Sequence, residues 1–136
     1  MVVAAGNQGI IGSSAITRHP SVIPVCAFDL QGRPLSLTNL GSSLGRRGLG
    51  APGEGIASLS TDGKSRTFGG TSAAAPFVTG AIALLRSEFP TATGVEVRSA
   101  VTQACSPRRR TAIVPPLLDA WAAYQLMSMG QGEAVS

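Results

Sequence analysis

Apolar residues fall along this chain in two rhythms. Up to about residue 70 they come in short bursts broken by glycine, proline and small polar residues, the spacing of strands and turns. "VVAA" (2–5), ahead of "GNQG", predicts a short, fully buried strand that runs into a turn. "VIPVCAF" (22–28) predicts a second strand. Pro24 places it near a sheet edge or at a bulge, because proline donates nothing to a ladder. "LSLTNL" (35–40) alternates and predicts a third strand. "GSSLGRRG" (41–48) reads as a loop, "LGAPGEG" and "IASLS" as extended segments with turns, and "TDGKSR" as a hairpin turn leading to "TFGGTS".

From about Thr71 the period lengthens. Val78, Ala81, Ile82, Leu85 and Phe89 recur at helical spacing, and "FP" at 89–90 ends that helix. Pro76 is tolerable near the first turn. Gly80 costs about 1 kcal/mol relative to alanine in a helix interior, which predicts close packing against it. Thr93 and Glu96 form a T-x-x-E capping box for a second helix with Val97, Val101, Ala104 and Cys105 on its apolar side. Pro115 and Pro116 precede a third helix, striped by Leu118, Ala122, Leu126 and Met129. Residues 130–136, "GQGEAVS", are expected to fray, leaving 1–129 as the structured part. Strands first and helices later predict an α/β layer arrangement, and only part of one.

Composition narrows the class. The 136 residues are 43% apolar and 13% charged, a globular rather than a disordered balance. No apolar run reaches the ~20 residues that span a bilayer. "MVVAAG" has neither the basic lead-in nor the length of a signal peptide, so the sequence gives no cellular address. A core strand beginning at residue 2 predicts that an upstream portion belongs to the same domain. The net charge of +4 gathers partly in Arg46–Arg47 and Arg108–Arg110, read as two solvated loops. A nucleic-acid partner would call for more basic residues on one element with aromatics between them, and none is expected. Cys26 and Cys105 read as buried free thiols, with a disulfide left open. A single histidine leaves no zinc spacing, and no metal site is predicted.

Two polar residues carry candidate chemistry. Ser72 lies in "GGTSAAAPF", a glycine-rich junction where a strand gives way to a helix. The N–H groups of a first helical turn suit a developing oxyanion there. A serine that merely caps the helix explains the same residue. Asn7, in "AAGNQG", stands at the C-terminal end of a buried strand, where sites on parallel sheets gather. It can donate to an oxyanion, and an asparagine turn explains it equally.

Taken together, the two stretches resemble the subtilisin-like serine protease family, from Val2 to about Tyr124. "VVAAGNQG" resembles its oxyanion-asparagine segment, "HPSVIPVCAFD" and "APGEGIASLS" two following strands, "GTSAAAPFVTGAIALL" the nucleophile and its helix, and "PPLLDAWAAY" the closing helix. About 65 residues separate Asn7 from Ser72, with the intervening segments in the family's order. The sedolisin-like group also has a G-T-S segment but uses an aspartate where Asn7 stands. The resemblance implies part of a three-layer domain with a mainly parallel sheet flanked by helices. It implies Ser72 as nucleophile and Asn7 with the Ser72 N–H as oxyanion hole. It also implies Val3, Ala4, Ala5 and Gly6 as one wall of the pocket for the residue before the scissile bond, and Gln8 at its rim. The substrate would be a peptide or protein. Calcium sites are common in the family, and none can be placed on these residues. Ala73 and Phe77 depart from the methionine and histidine usual in the nucleophile helix.

A larger departure is the triad, which the family orders Asp, His, Ser along the chain. Almost nothing precedes Asn7. His19 matches a surface turn, and no acid matches the triad aspartate; Asp29 and Asp62 read as turn residues. The expectation is therefore a C-terminal half whose base and acid lie on an N-terminal half or partner chain, inactive in isolation. The alternative is a non-catalytic remnant that binds peptides or partners.

Overall fold

The computed structural model describes residues 1–104 and 113–132. In chain order the elements are β1 (Val2–Ala4), α1 (Ala15–Arg18), β2 (Ile23–Phe28), α2 (Ser42–Arg47), β3 (Leu49–Pro52), β4 (Ile56–Leu59), β5 (Ser65–Phe68), α3 (Thr71–Glu88), α4 (Gly94–Gln103) and α5 (Ala120–Gly132). The first three strands form a parallel sheet in the order β1-β2-β3, with Val3 opposite Pro24 and Cys26 opposite Gly50. Ile23, Val25 and Ala27 join Leu49 and Ala51 on one face, against Val78 and Leu85 of α3, Val97 and Val101 of α4 and Ala123 of α5. Cys26, Phe28 and Ala5 turn to the other face, against Leu44 of α2. Helices on both faces make the expected three-layer α/β arrangement. They also explain why "VIPVCAF" is apolar throughout: a strand covered on both sides has no wet face on which to alternate.

The turn signals act as expected. Strands β4 and β5 pair antiparallel, Ile56 opposite Phe68, around a turn in which Asp62 Oδ1 accepts the Lys64 N–H at 3.1 Å. The capping box forms, Thr93 Oγ1 accepting from Glu96 N at 3.2 Å and Glu96 Oε2 accepting from Thr93 N at 2.6 Å.

Five local expectations fail for physical reasons. Pro24 is on the central strand, not at an edge. Ile23 N–H donates to Met1 O and Val25 O accepts from Ala5 N, so the nitrogen of Pro24 faces β3. The β2–β3 ladder begins only at Val25 opposite Leu49, so no bond is lost. Residues 35–40 are not a strand: the Thr38 N–H turns back to Leu35 O at 3.0 Å, and Thr38 Oγ1 takes the Ala27 N–H at 3.1 Å. A side chain has replaced the ladder there. Residues 41–48 contain α2 rather than a loop, because Leu44 is fully buried, and Arg47 Nη2 caps the end of α1 at the Thr17 and Arg18 carbonyls. Gly80 has nothing within 4 Å of a built Cβ, so close packing does not account for it. On α5, Asp119 Oδ1 accepts the Ala122 N–H at 2.9 Å and sets the helix start. Leu118 and Ala122 pack against the core as expected, but Ala123 is the fully buried residue and Met127 packs beside it, while Leu126 and Met129 of the expected stripe are exposed.

Helix α5 continues through 130–132, into the segment expected to fray. Cys105, Arg108–Arg110 and 133–136 lie outside the described residues.

Cys26 is free and fully buried, its Sγ donating to Asn39 O at 3.4 Å. Burial pushes its thiol up to about 12. Since the thiolate is the nucleophile, Cys26 should stay unmodified by iodoacetamide at pH 8 in the folded chain and react fully in denaturant. Peptide mapping that found Cys26 alkylated under native conditions would contradict this placement.

Candidate active site

The site is assembled where the parallel strands end. Past β1, Ala5 N–H still donates to Val25 O at 2.9 Å. Gly6 then turns the chain with φ 110, and a Cβ on it would run into the Asn39 side chain, so glycine is required. On the same rim Phe28 O accepts from Gly53 N at 3.0 Å, and Gly53 O accepts from Gly70 N at 2.8 Å. The ends of β2 and β3 are thus tied to the start of α3. Gly70 has φ 86, and a Cβ there would lie 3.0 Å from both polar atoms of the Asn7 amide.

Thr71 joins the pieces. It is fully buried at the first position of α3. Its Oγ1 accepts from Gly6 N at 3.3 Å and donates to Asn7 Oδ1 at 3.0 Å, and its N–H donates to the same oxygen at 2.9 Å. A backbone N–H can only donate, so the atom of Asn7 facing the helix is the amide oxygen. Asn7 therefore meets the N-terminus of α3 from the shared rim, as expected, with Nδ2 left over. Asn7 and Ser72 are both exposed. Neither Asn7 Nδ2 nor the Ser72 N–H and hydroxyl has a hydrogen-bond partner among the described residues. First-turn N–H groups have no acceptor within their own helix, and the helix dipole is positive at that end. The arrangement offers unpaired donors beside a hydroxyl, the equipment for meeting a developing negative charge.

Ser72 opens on a cleft of about 880 Å³. Its lining is mainly apolar and includes Pro52, Ile56, Phe68, Phe77 and Leu117. Val3, Ala4, Ala5, Gly6 and Gln8 do not line it. Val3 and Ala4 are half-buried in β1, which pairs with β2 on one side and with no strand on the other among the described residues. Gln8 is exposed, its Oε1 accepting from Asn39 Nδ2 at 2.6 Å. His19 caps the C-terminus of α1, exposed, with Nδ1 accepting from Ser21 N at 3.2 Å. It precedes β2 and so lies at the opposite rim from Ser72, across a six-residue strand, about 20 Å at ~3.3 Å per residue. Asp29 accepts the Gln31 and Arg33 N–H groups and the Arg33 Nε at 2.8 Å, bonds led by the Arg33 N–H that hold its carboxyl below the usual range. It is a turn residue, as is Asp62. Among the described residues no three His, Cys, Asp or Glu side chains converge as metal ligands.

Sequence reasoning missed Thr71 and Asn39. Thr71 stood beside the serine with no signal beyond a helix start. Asn39 was concealed in a segment whose alternation read as a strand.

The glycine joint at Gly70 gives a direct test. Gly70→Ala should lower stability by about 1–3 kcal/mol, because its backbone lies in a glycine-only region and the new methyl meets Asn7. A thermal midpoint equal to wild type would show that the joint is not held as described.

A parallel sheet with a helix-borne serine and a strand-end asparagine on one rim fits the serine hydrolases of the α/β class. The sequence model of the subtilase family, peptidase S8, matches residues 1–120, and the chain belongs to that family. It is part of a subtilisin-like serine protease domain. Subtilisin amylosacchariticus of Bacillus subtilis subsp. amylosacchariticus is 38% identical over 102 residues, covering 72% of this chain and 26% of that protein. The thermostable alkaline protease of Halalkalibacterium halodurans is 33% identical over 103 residues, covering 76% and 28%. Among solved structures, a mutant of the protease domain of PatA superposes with a TM-score of 0.84 at 34% identity, over 93% of this chain and 47% of that one. The prenylagaramide maturation protease PagA gives 0.81 at 28% identity, over 91% and 48%. The chain thus spans about a quarter of these curated relatives and about half of the solved protease chains.

Proposed function

We propose that this chain supplies the nucleophile side of a serine endopeptidase. The observation that carries this reading is the orientation of Asn7: its oxygen is spent on Thr71, so that Nδ2, beside the first-turn Ser72 N–H, is unpaired among the described residues. In the reaction Ser72 Oγ attacks the peptide carbonyl carbon, and the carbonyl oxygen takes the negative charge between those two donors. Collapse breaks the C–N bond, the amine leaves with a proton, and water releases the acyl group from Ser72. Val3 to Gly6 would line one wall of the pocket for the residue before the scissile bond, with Gln8 at its rim. A serine hydroxyl needs a base. The chain has a single histidine, at the opposite rim, so the base and its acid come from outside these residues.

Fluorophosphonate labelling tests the reading. The 136-residue chain alone should remain unlabelled, and a complementing N-terminal half bearing the aspartate and histidine should bring labelling at Ser72. Labelling of the isolated chain would refute the need for an external base. No labelling in the reconstituted domain would favour a non-catalytic remnant that binds peptides or partners.

A further inference from the structure

We infer that Asn39 is the positioning residue for the oxyanion donor, fixing the turn that carries Asn7 without touching Asn7 itself. Asn39 is only 8% exposed, and every polar group of it is engaged with that turn or with the strand beside it. Oδ1 accepts from Gln8 N at 3.0 Å and Ile10 N at 3.3 Å. Nδ2 donates to Ala5 O at 3.3 Å and to Gln8 Oε1 at 2.6 Å. The backbone N–H donates to Gly6 O at 2.9 Å, and the carbonyl accepts the buried Cys26 thiol.

These bonds fall on both sides of Asn7 and stop short of it. Residues 5 to 10 form neither helix nor strand, so their polar groups need partners from elsewhere. Asn39 provides them, and its side chain fills the space where Gly6 lacks a Cβ. The segment that carries Asn39 is itself pinned to β2 through Leu35 N to Ala27 O and Ala27 N to Thr38 Oγ1. Asn7 is thus gripped from the helix side by Thr71, its only hydrogen-bond partner among the described residues, and its backbone is set from the sheet side by Asn39. A donor helps an oxyanion only if it is already aimed, and a displacement of about 1 Å costs on the order of 10²-fold. A residue that fixes the donor's backbone acts on kcat, and because the same bonds hold Ala5, Gly6 and Gln8 of the proposed pocket wall, Asn39 acts on KM as well.

The inference rests on the oxyanion role proposed for Asn7, and its test separates the two. In the reconstituted, active domain, Asn39→Ala should lower kcat about 10–100-fold, with a rise in KM because the proposed pocket wall at Ala5, Gly6 and Gln8 loosens with it. In an Asn7→Ala background the same change should add little to the loss in kcat, since the residue it positions is gone. Additive losses of kcat in that double mutant would overturn the inference. Amide hydrogen exchange supplies a readout without catalysis: exchange at Gln8 and Ile10, whose N–H groups donate to Asn39 Oδ1, should quicken in Asn39→Ala. Unchanged protection in Asn39→Ala would overturn the inference as well. If Asn39→Ala does not fold, Asn39→Asp still decides: its carboxylate oxygen would face Ala5 O and Gln8 Oε1 where an N–H donated, so kcat should fall, and a folded aspartate variant with wild-type kcat would contradict the inference. A wild-type domain without peptidase activity would instead count against the proposed function, with the exchange result then deciding the role of Asn39.

Discussion

Ser72→Ala should abolish fluorophosphonate labelling of the reconstituted domain and cut peptide hydrolysis by about 10⁶ in kcat, the magnitude known for the nucleophile of subtilisin itself. The physical ground is that no neighbouring group can replace the oxygen that forms the ester. Ala73, Ala74 and Ala75 follow it, and Thr71, the nearest hydroxyl, is buried and bonded to Gly6 and Asn7. Folding should survive the change. Ser72 is exposed and makes no side-chain hydrogen bond among the described residues, and alanine is the better helix former by up to ~0.7 kcal/mol. A thermal midpoint at or slightly above wild type, together with lost labelling, would place the loss in chemistry. Labelling that persisted in a folded Ser72→Ala chain would remove Ser72 from the reaction.

What the sequence disclosed and what it concealed divide along one physical line. Features set by neighbours in the chain were legible: the Thr93–Glu96 capping box, the Asp62–Gly63 turn, and the α3 stripe of Val78, Ala81 and Leu85 all formed. Features set by distant partners were not. The alternation of "LSLTNL" is a strand signal only while Thr38 and Asn39 are imagined facing water. Both are buried and bonded to the backbone of β2 and of the turn after β1. Helix α2 looked like a loop because serine, glycine and arginine are poor guides, and it exists because Leu44 seals the second face of the sheet. The second half of the α5 stripe moved by one residue, from Leu126 to Met127, while Leu118 and Ala122 kept their place against the core, because the cap at Asp119 set the first turn. At the site, Asn7 and Ser72 were visible as residue types 65 apart, but the Thr71 contacts that orient Asn7 depend on how the strand end meets the helix. Pattern gives the pieces of such a site, and tertiary contact gives their aim.

That aim is what Asn7→Ala measures. Under the oxyanion role proposed for Asn7, its loss should cost about 10²–10³ in kcat, the magnitude measured for such a donor in subtilisin. KM should change little, because the donor meets a charge that exists only as the carbonyl is attacked. The residual rate should come from the Ser72 N–H, which alanine at position 7 does not touch. Asn7→Ala also strips Thr71 of an acceptor for its N–H and its hydroxyl, so a modest destabilisation of about 1 kcal/mol should accompany the kinetic loss. Asn7→Asp separates the two effects. A carboxylate keeps an acceptor for Thr71 and so should keep the stability, but it sets a negative charge beside the forming oxyanion and offers no N–H. Its kcat at neutral pH should therefore fall to the Asn7→Ala level or below, in a chain as stable as wild type. If Asn7→Asp retained wild-type kcat, or if Asn7→Ala raised KM and left kcat alone, Asn7 would be a turn residue that braces Thr71, and the oxyanion hole would have to be sought elsewhere on the rim.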